Sequence, residues 1–112
     1  MEFMPIRPRP IVEWREDGTW KLLRTFTLGD ISVPADFVFD GASVPRLLWP
    51  YADQEGPAFG AAVIHDYEYS THPGTRKEAD DRFFDNLRRY GIRRSKAWVM
   101  WFAVRSAGWA SW

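Results

Sequence analysis

The sequence contains no cysteine among its 112 residues. The lack of thiols excludes a disulfide scaffold, a thiolate nucleophile and a zinc site built on cysteine. Hydrophobic residues make up 46% of the chain and charged residues 27%, which is typical of a globular protein and not of a disordered one. The length predicts a single domain, residues 1–112, that can bury a core without a metal or disulfide staple.

No apolar run in the sequence is long enough to cross a membrane. The run 97–104 is far shorter than the ~20 residues of a transmembrane helix, and it ends at Arg105. The first ten residues hold three prolines and two arginines, so no signal peptide is predicted. The compartment stays open, because many exported proteins also lack cysteine.

Neither sign of charge dominates, because 15 basic residues balance 15 acidic ones. This balance makes nucleic acid an unlikely partner, since attraction of the whole domain to phosphate requires a positive excess. The charge is unevenly placed, however, and no acid follows Asp85. Six basic residues do follow it: Arg88, Arg89, Arg93, Arg94, Lys96 and Arg105.

The first half of the chain has the pattern of short strands. Ile11–Trp14 and Trp20–Leu28 form a strand–turn–strand pattern, and Asp17-Gly18 between them is a strong hairpin signal. A third strand is predicted at Ile31–Val33, and residues 37–39 are extended. These segments predict a small antiparallel sheet.

The second half changes to a helical period. A helix from Pro57 to about Ser70 is apolar nearly all round, which predicts that it is buried. A capping box at Thr75 begins a second helix that ends at Gly91. Ser95 can cap a third helix, which is predicted from about Lys96 to Ala107. The fold class is therefore α+β, with the sheet packed against three helices.

A histidine and an aspartate stand in apolar surroundings on the first two helices. Asp80 shares a face with Phe83 and Leu87, and His65 lies in the middle of the buried first helix. A short connection brings the two helices together, so we expect a His65 ring nitrogen about 2.7–3.2 Å from an Asp80 oxygen. Tyr69 should approach the same carboxylate, and Asp81 should face solvent.

This pair has a catalytic and a structural interpretation. A carboxylate that orients a histidine is the usual arrangement for a general base, which makes His65, Asp80 and Tyr69 candidate catalytic residues. The alternative is a core histidine with a satisfied hydrogen bond, and an acid near the start of a helix, where the dipole favours it. The sequence leaves both open.

Asp66 is a candidate metal ligand. It follows His65 directly and points about 100° round the helix, where its carboxylate can bind calcium if loop carbonyls supply further oxygens. The nearest suitable loop contains Asp40 and Gly41, and we expect backbone oxygens of residues 39–43 to contribute. An ordinary ion pair and an ordinary turn are the alternatives.

The last helix carries tryptophans at helical spacing. Trp98 and Trp101 belong to this stripe, and Trp109 follows it. Interleaved arginine and tryptophan suit a membrane interface or a stacking surface for single strands, but such a stripe more often forms core. We therefore expect at least Trp98 or Trp101 to be mostly buried against the sheet or the first helix, and the arginines of this helix to be exposed.

Most of the chain, from about Val33 to Trp109, resembles a phage and prophage family known as domain of unknown function 1353. Three motifs in the same order carry the resemblance: residues 38–50, residues 65–69 and residues 76–83. A basic, aromatic helix ending in Gly108-Trp109 completes the pattern. The family implies no biochemical activity.

His65-Asp66-x-x-Tyr69 also resembles the His-Asp-x-x-Tyr helix of phospholipases A2. That resemblance implies that His65 is the base for a water attacking a lipid ester, Asp66 a calcium ligand, Asp80 the acid that orients His65, and Tyr69 the support of Asp80. The glycine-rich calcium loop and the cysteines of those enzymes have no counterpart here.

Two functional hypotheses follow. The first is a phage-encoded, calcium-dependent lipid ester hydrolase that acts at a membrane surface. The second is a non-enzymatic virion or tail component, or an accessory binding protein, in which His65, Asp66 and Asp80 form a structural network and the partners are other phage proteins.

Overall fold

The computed structural model describes residues 8–40, 43 and 58–112. Within that part of the chain, strands precede helices, which confirms the α+β class. The strands are β1 (Val12–Trp14), β2 (Trp20–Leu22), β3 (Phe26–Leu28), β4 (Ile31–Val33) and β5 (Val38–Phe39). The helices are α1 (Phe59–Thr71), α2 (Arg76–Arg89) and α3 (Arg94–Ala107), followed by the 3₁₀ turn Gly108–Ser111.

The strands form two small antiparallel sheets. Strand β2 lies between β1 and β5, and β3 pairs with β4 as a hairpin. The continuous strand predicted over Trp20–Leu28 is wrong, because the chain bends at residues 23–25 between β2 and β3. A straight strand would place Arg24 on the same face as the buried Leu22 and Phe26. The bend keeps that charge in water.

Helix α1 is the centre of the molecule. Its residues from Phe59 to Asp66 are all buried, as the apolar sequence predicts, and it packs against strands on one side and α2 on another. It ends at Thr71, where His72 takes a left-handed backbone conformation with φ of 52°. Because α1 is enclosed, any polar side chain on it needs a partner from a neighbouring element.

Local signals set the ends of α2 more accurately than those of α3. The predicted capping box is confirmed, since Thr75 Oγ1 accepts from the Glu78 N–H at 3.1 Å and the Glu78 carboxylate accepts from the Thr75 N–H at 2.8 Å. Gly91 has φ of 86° just after the helix. Helix α3 begins at Arg94, so the predicted cap at Ser95 is wrong. None of the helices in the described ranges is long and apolar enough to cross a membrane.

The buried face of α3 is shifted from the predicted aromatic stripe. Ala97, Met100 and Val104 are the residues that it buries fully, whereas Trp98 is 52% exposed. Trp101 is mostly buried, as predicted for one of the two tryptophans, but its indole N–H donates to Asp81 of α2, whereas the prediction places the ring against the sheet or α1. Residues 97, 100 and 104 share one helical face and are small or flexible, so they let α3 approach α2 closely.

The two faces of α3 predict different stability effects. Met100→Ala should lower the free energy of unfolding by about 2–5 kcal/mol, because a fully buried side chain leaves a cavity. Trp98→Ala should cost about 1 kcal/mol, because half of the ring is already in water. Urea titration of both variants measures the difference. A larger cost for Trp98→Ala would contradict the burial pattern.

Candidate functional site

Helices α1 and α2 hold the predicted histidine–aspartate pair. Both side chains have no exposed surface, and His65 Nε2 lies 2.7 Å from Asp80 Oδ1. The contact confirms the prediction from helix phase. A buried carboxylate fixes the imidazole with the Nε2–H directed at it, which leaves Nδ1 as the nitrogen that can exchange a proton.

Asp80 accepts hydrogen bonds from four side chains. The Tyr69 hydroxyl donates to Oδ1 at 2.7 Å, as predicted, while Arg105 and Arg76 donate to Oδ2 at 2.9 and 3.4 Å. Burial alone raises the pKa of Asp80, but the hydrogen bonds from His65 and Tyr69, with the positive charges nearby, outweigh it and lower the pKa below its ordinary value. The carboxylate therefore stays ionised at neutral pH.

Tyr69 acts as a fixed donor to this carboxylate. Burial first, and then its hydrogen bond to Asp80, raise the pKa of Tyr69 well above its usual value, so the hydroxyl keeps its proton. Gly108 lies directly against it, since a Cβ on Gly108 would be 2.5 Å from the Tyr69 oxygen. A glycine at this position thus allows the tyrosine to reach Asp80.

The prediction that the arginines of the last helix are exposed is wrong for Arg105. Arg93 and Arg94 are exposed, but Arg105 is 28% exposed and binds Asp80. Arg76 on α2 donates to Asp80 and also to the backbone carbonyls of α3 at residues 104 and 105. The two guanidinium groups thus tie α3 to the buried pair on α1 and α2.

Ser43 occupies the other side of the imidazole. Its Oγ lies 2.9 Å from His65 Nδ1, and the residue is buried. Ser43, His65 and Asp80 therefore form a continuous serine–histidine–aspartate hydrogen-bonded chain, with the serine on Nδ1 and the aspartate on Nε2. The sequence interpretation missed Ser43 as a functional residue, and the only signal was its place in the polar loop after Asp40.

Asp66 contacts the same serine. Its Oδ1 accepts from the Ser43 backbone N–H at 3.2 Å and from the Ser43 hydroxyl. A hydroxyl has one proton, so it can donate to Asp66 or to Nδ1 of His65, but not to both. Asp66 is thus positioned to hold the loop residue in place and to compete for its proton.

A cleft of about 340 Å³ opens over this serine. Ser43, Asp66 and Tyr69 line it together with Asp40, whereas His65 does not. The remaining described lining residues are Thr19, Val38, Phe39, Ser70 and Ser111. The volume lies at the lower end of the range for small-molecule sites. Ser43 therefore connects the cleft to the buried His65.

The predicted metal ligands are only partly together. Asp40 and Asp66 line the same cleft, but Gly41 lies outside the described residues. One oxygen of Asp66 already accepts hydrogen bonds from Ser43. Among residues 8–40, 43 and 58–112, no group of three or more His, Asp or Glu side chains could hold a metal. Calcium prefers six to eight oxygens, so the described donors do not form a complete site.

Asp81 verifies the phase of α2. Its side chain is 45% exposed, Lys77 donates to its Oδ2 at 2.7 Å, and Trp101 Nε1 donates to its Oδ1 at 2.9 Å. It has no contact with His65, which is bonded to Asp80 instead. Two adjacent aspartates therefore differ completely in burial and in partners, because they point about 100° apart on the helix.

A family model described as Protein of unknown function (DUF1353) matches residues 19–104, which include the serine, the histidine and the aspartate of the buried chain. The chain belongs to this family. No solved structure matches it. The DUF1353 match therefore shows the family without assigning a reaction, and the chemistry has to be argued from the site.

Two curated proteins of Sinorhizobium fredii (strain NBRC 101917 / NGR234) are similar to this DUF1353 chain. Uncharacterized protein y4jT is 31% identical over 114 residues, which cover 96% of this chain and 32% of that protein. Uncharacterized protein y4iH is 38% identical over 71 residues, which cover 62% of this chain and 30% of that protein. The chain spans about a third of the length of these curated relatives.

Proposed function

We propose that this chain is a hydrolase of carboxylic esters in which Ser43 is the nucleophile and His65 the general base. The observation that carries the proposal is the 2.9 Å contact between Ser43 Oγ and His65 Nδ1, made by a serine that lines the cleft. Because His65 is fully buried and Ser43 lines the cleft, Ser43 is the member of this pair that would face a substrate.

The reaction consists of the acylation of Ser43 and the hydrolysis of the acyl group, with two proton transfers in each half. Ser43 Oγ attacks the ester carbonyl carbon, and its proton moves to His65 Nδ1. The C–O bond to the alcohol then breaks, and the leaving oxygen takes that proton, which leaves an acyl group on Ser43. A water molecule attacks the acyl carbon with His65 as base again. The acid departs, and the proton returns to Ser43.

Asp80 and Tyr69 are positioning residues in this scheme. Asp80 fixes the ring of His65 and stabilises the imidazolium that forms when Nδ1 takes the proton. Its lowered pKa keeps it charged throughout. Tyr69 holds the carboxylate in place through a hydrogen bond at 2.7 Å. Neither residue is required to touch the substrate.

A calcium-dependent lipid ester hydrolase of the phospholipase A2 kind is the second candidate. Asp40 and Asp66 at one cleft favour it, as does the arrangement of His65, Asp80 and Tyr69 that the resemblance implies. Asp66, Asp40 and the backbone of Gly41 would hold the ion, which would polarise the ester carbonyl. In this case water is the nucleophile.

Covalent labelling separates these candidates. A fluorophosphonate should form one adduct on Ser43, seen by peptide mass spectrometry, because only an activated serine attacks phosphorus. EDTA should leave the adduct yield unchanged. Asp66→Asn should retain labelling, since a neutral amide oxygen is a weaker acceptor than the carboxylate and competes less for the serine proton. Loss of a calcium ligand would instead abolish the second candidate's activity.

The opposite results identify the alternatives. Hydrolysis of phospholipid vesicles that requires calcium, without any adduct on Ser43, would support the second candidate and overturn the serine mechanism. A folded protein that neither labels nor hydrolyses esters would overturn both. The buried chain would then be structural, as in the hypothesis of a non-enzymatic phage virion or tail component.

A further inference from the structure

A second pocket lies between the outer faces of α2 and α3. Phe84, Trp98 and Trp101 provide its aromatic walls, and Asp81 and Asp85 provide its carboxylates. We call these five residues the aromatic pocket. Its volume is about 380 Å³, and helical spacing places its residues on facing strips of the two helices. It shares no residue with the described lining of the Ser43 cleft.

The rings of the aromatic pocket stand nearly perpendicular to each other. Trp98 and Trp101 have centroids 5.0 Å apart at an interplanar angle of 72°, and Phe84 and Trp98 are 6.4 Å apart at 77°. Rings at such angles present faces and edges in different directions, so an occupant contacts more than one of them. Trp98 is 52% exposed, which keeps that surface open to solvent.

The charge beside these rings is negative. Burial alone raises the pKa of Asp81, but hydrogen bonds from Lys77 and Trp101, with the charges of Lys77 and Arg105, lower it, so Asp81 is ionised. Lys77 neutralises Asp81 and Arg105 binds Asp80. Asp85 is exposed and makes no ion pair within the described ranges. Its charge therefore remains available to a cation above the rings.

We propose that the aromatic pocket binds a quaternary ammonium group. Aromatic faces attract a cation through the ring quadrupole, and tryptophan is the strongest of them. A primary ammonium needs acceptors for three N–H groups, yet both oxygens of Asp81 already accept hydrogen bonds, from Lys77 and Trp101. Asp85 is then the carboxylate of the aromatic pocket that would have to accept all three. A trimethylated ammonium needs no acceptor and is satisfied by ring faces and a nearby carboxylate.

Choline and its neutral isostere 3,3-dimethylbutan-1-ol provide the test. In ¹H–¹⁵N spectra of the whole chain, choline should shift the indole N–H signals of Trp98 and Trp101 and leave Trp14 unchanged. The isostere has the same shape without the charge, so it should bind at least about tenfold more weakly, since a tenfold change is 1.4 kcal/mol and cation–π attraction is of this size. Equal binding would overturn the proposal.

Two variants and one vesicle experiment complete the design. Asp85→Asn should weaken choline binding and leave binding of the isostere unchanged. Trp98→Ala should abolish the shift of the Trp101 indole signal with both molecules, without unfolding the chain. Unchanged choline binding in both variants would place the ligand elsewhere. Sedimentation with phosphatidylcholine vesicles is compared with sedimentation with phosphatidylglycerol vesicles. The comparison shows whether the chain binds the quaternary ammonium group on a lipid surface or only in free choline.

Discussion

Ser43→Ala is expected to lower the turnover of p-nitrophenyl butyrate, an activated ester, by about 10³-fold or more. The variant removes the Ser43 hydroxyl, which joins His65 Nδ1 to the cleft. His65→Gln should produce a loss of similar size, because its amide can still donate to Asp80 but cannot take a proton. Steady-state kinetics measures both, and circular dichroism confirms that both variants are folded.

The double variant distinguishes a joint mechanism from two independent effects. If Ser43 and His65 act as one unit, the double variant should be no slower than either single variant, since the second change removes nothing further. Wild-type turnover in Ser43→Ala together with a large loss in His65→Gln would show that water is the nucleophile. Wild-type turnover in both would remove the pair from catalysis altogether.

Asp80→Ala is expected to lower the free energy of unfolding by about 3 kcal/mol, measured by urea titration. Removing the carboxylate leaves His65 and Tyr69 without an acceptor in the core, and it leaves two arginines without their shared partner. Both guanidinium groups keep some contact with water, which places the cost at the lower end for a broken buried pair.

The pH dependence of this effect has a definite sign. The pKa of Asp80 is lowered in the folded chain from an ordinary value of 3.8, so its contribution is complete above pH 3.8 and is lost as the pH falls through the folded value. The stability difference between wild type and Asp80→Ala should therefore narrow in acid. A difference that grows in acid would contradict the lowered pKa.

Asp81→Ala is the matched control for that experiment. It removes the neighbouring carboxylate, which is 45% exposed and pairs with Lys77, so it should cost no more than about 1 kcal/mol. Equal losses in the free energy of unfolding for Asp80→Ala and Asp81→Ala would contradict the difference in burial between the two aspartates.

Periodicity along the helices was sufficient to predict the His65–Asp80 contact. Asp80 lies on the apolar stripe of α2, and His65 lies in the buried helix α1. Each of these polar groups needs a partner in the core, and the other one supplies it. The same method did not identify the fully buried face of α3, because it gave the large ring of Trp98 more weight than Ala97 and Met100, which are the residues inside. Size and close approach of the helices, not ring area, decided which face is inside.

The sequence by itself determined the α+β class, the capping box that begins α2 and the pairing of its buried acid, because each depends on neighbours within a few turns. Tertiary structure alone decided three things: that Ser43 reaches His65, that Arg105 reaches Asp80, and that Trp98 faces solvent. These contacts join residues 22 and 25 positions apart or depend on how α3 packs. No local period encodes them, since they follow from how loops and helices meet around α1.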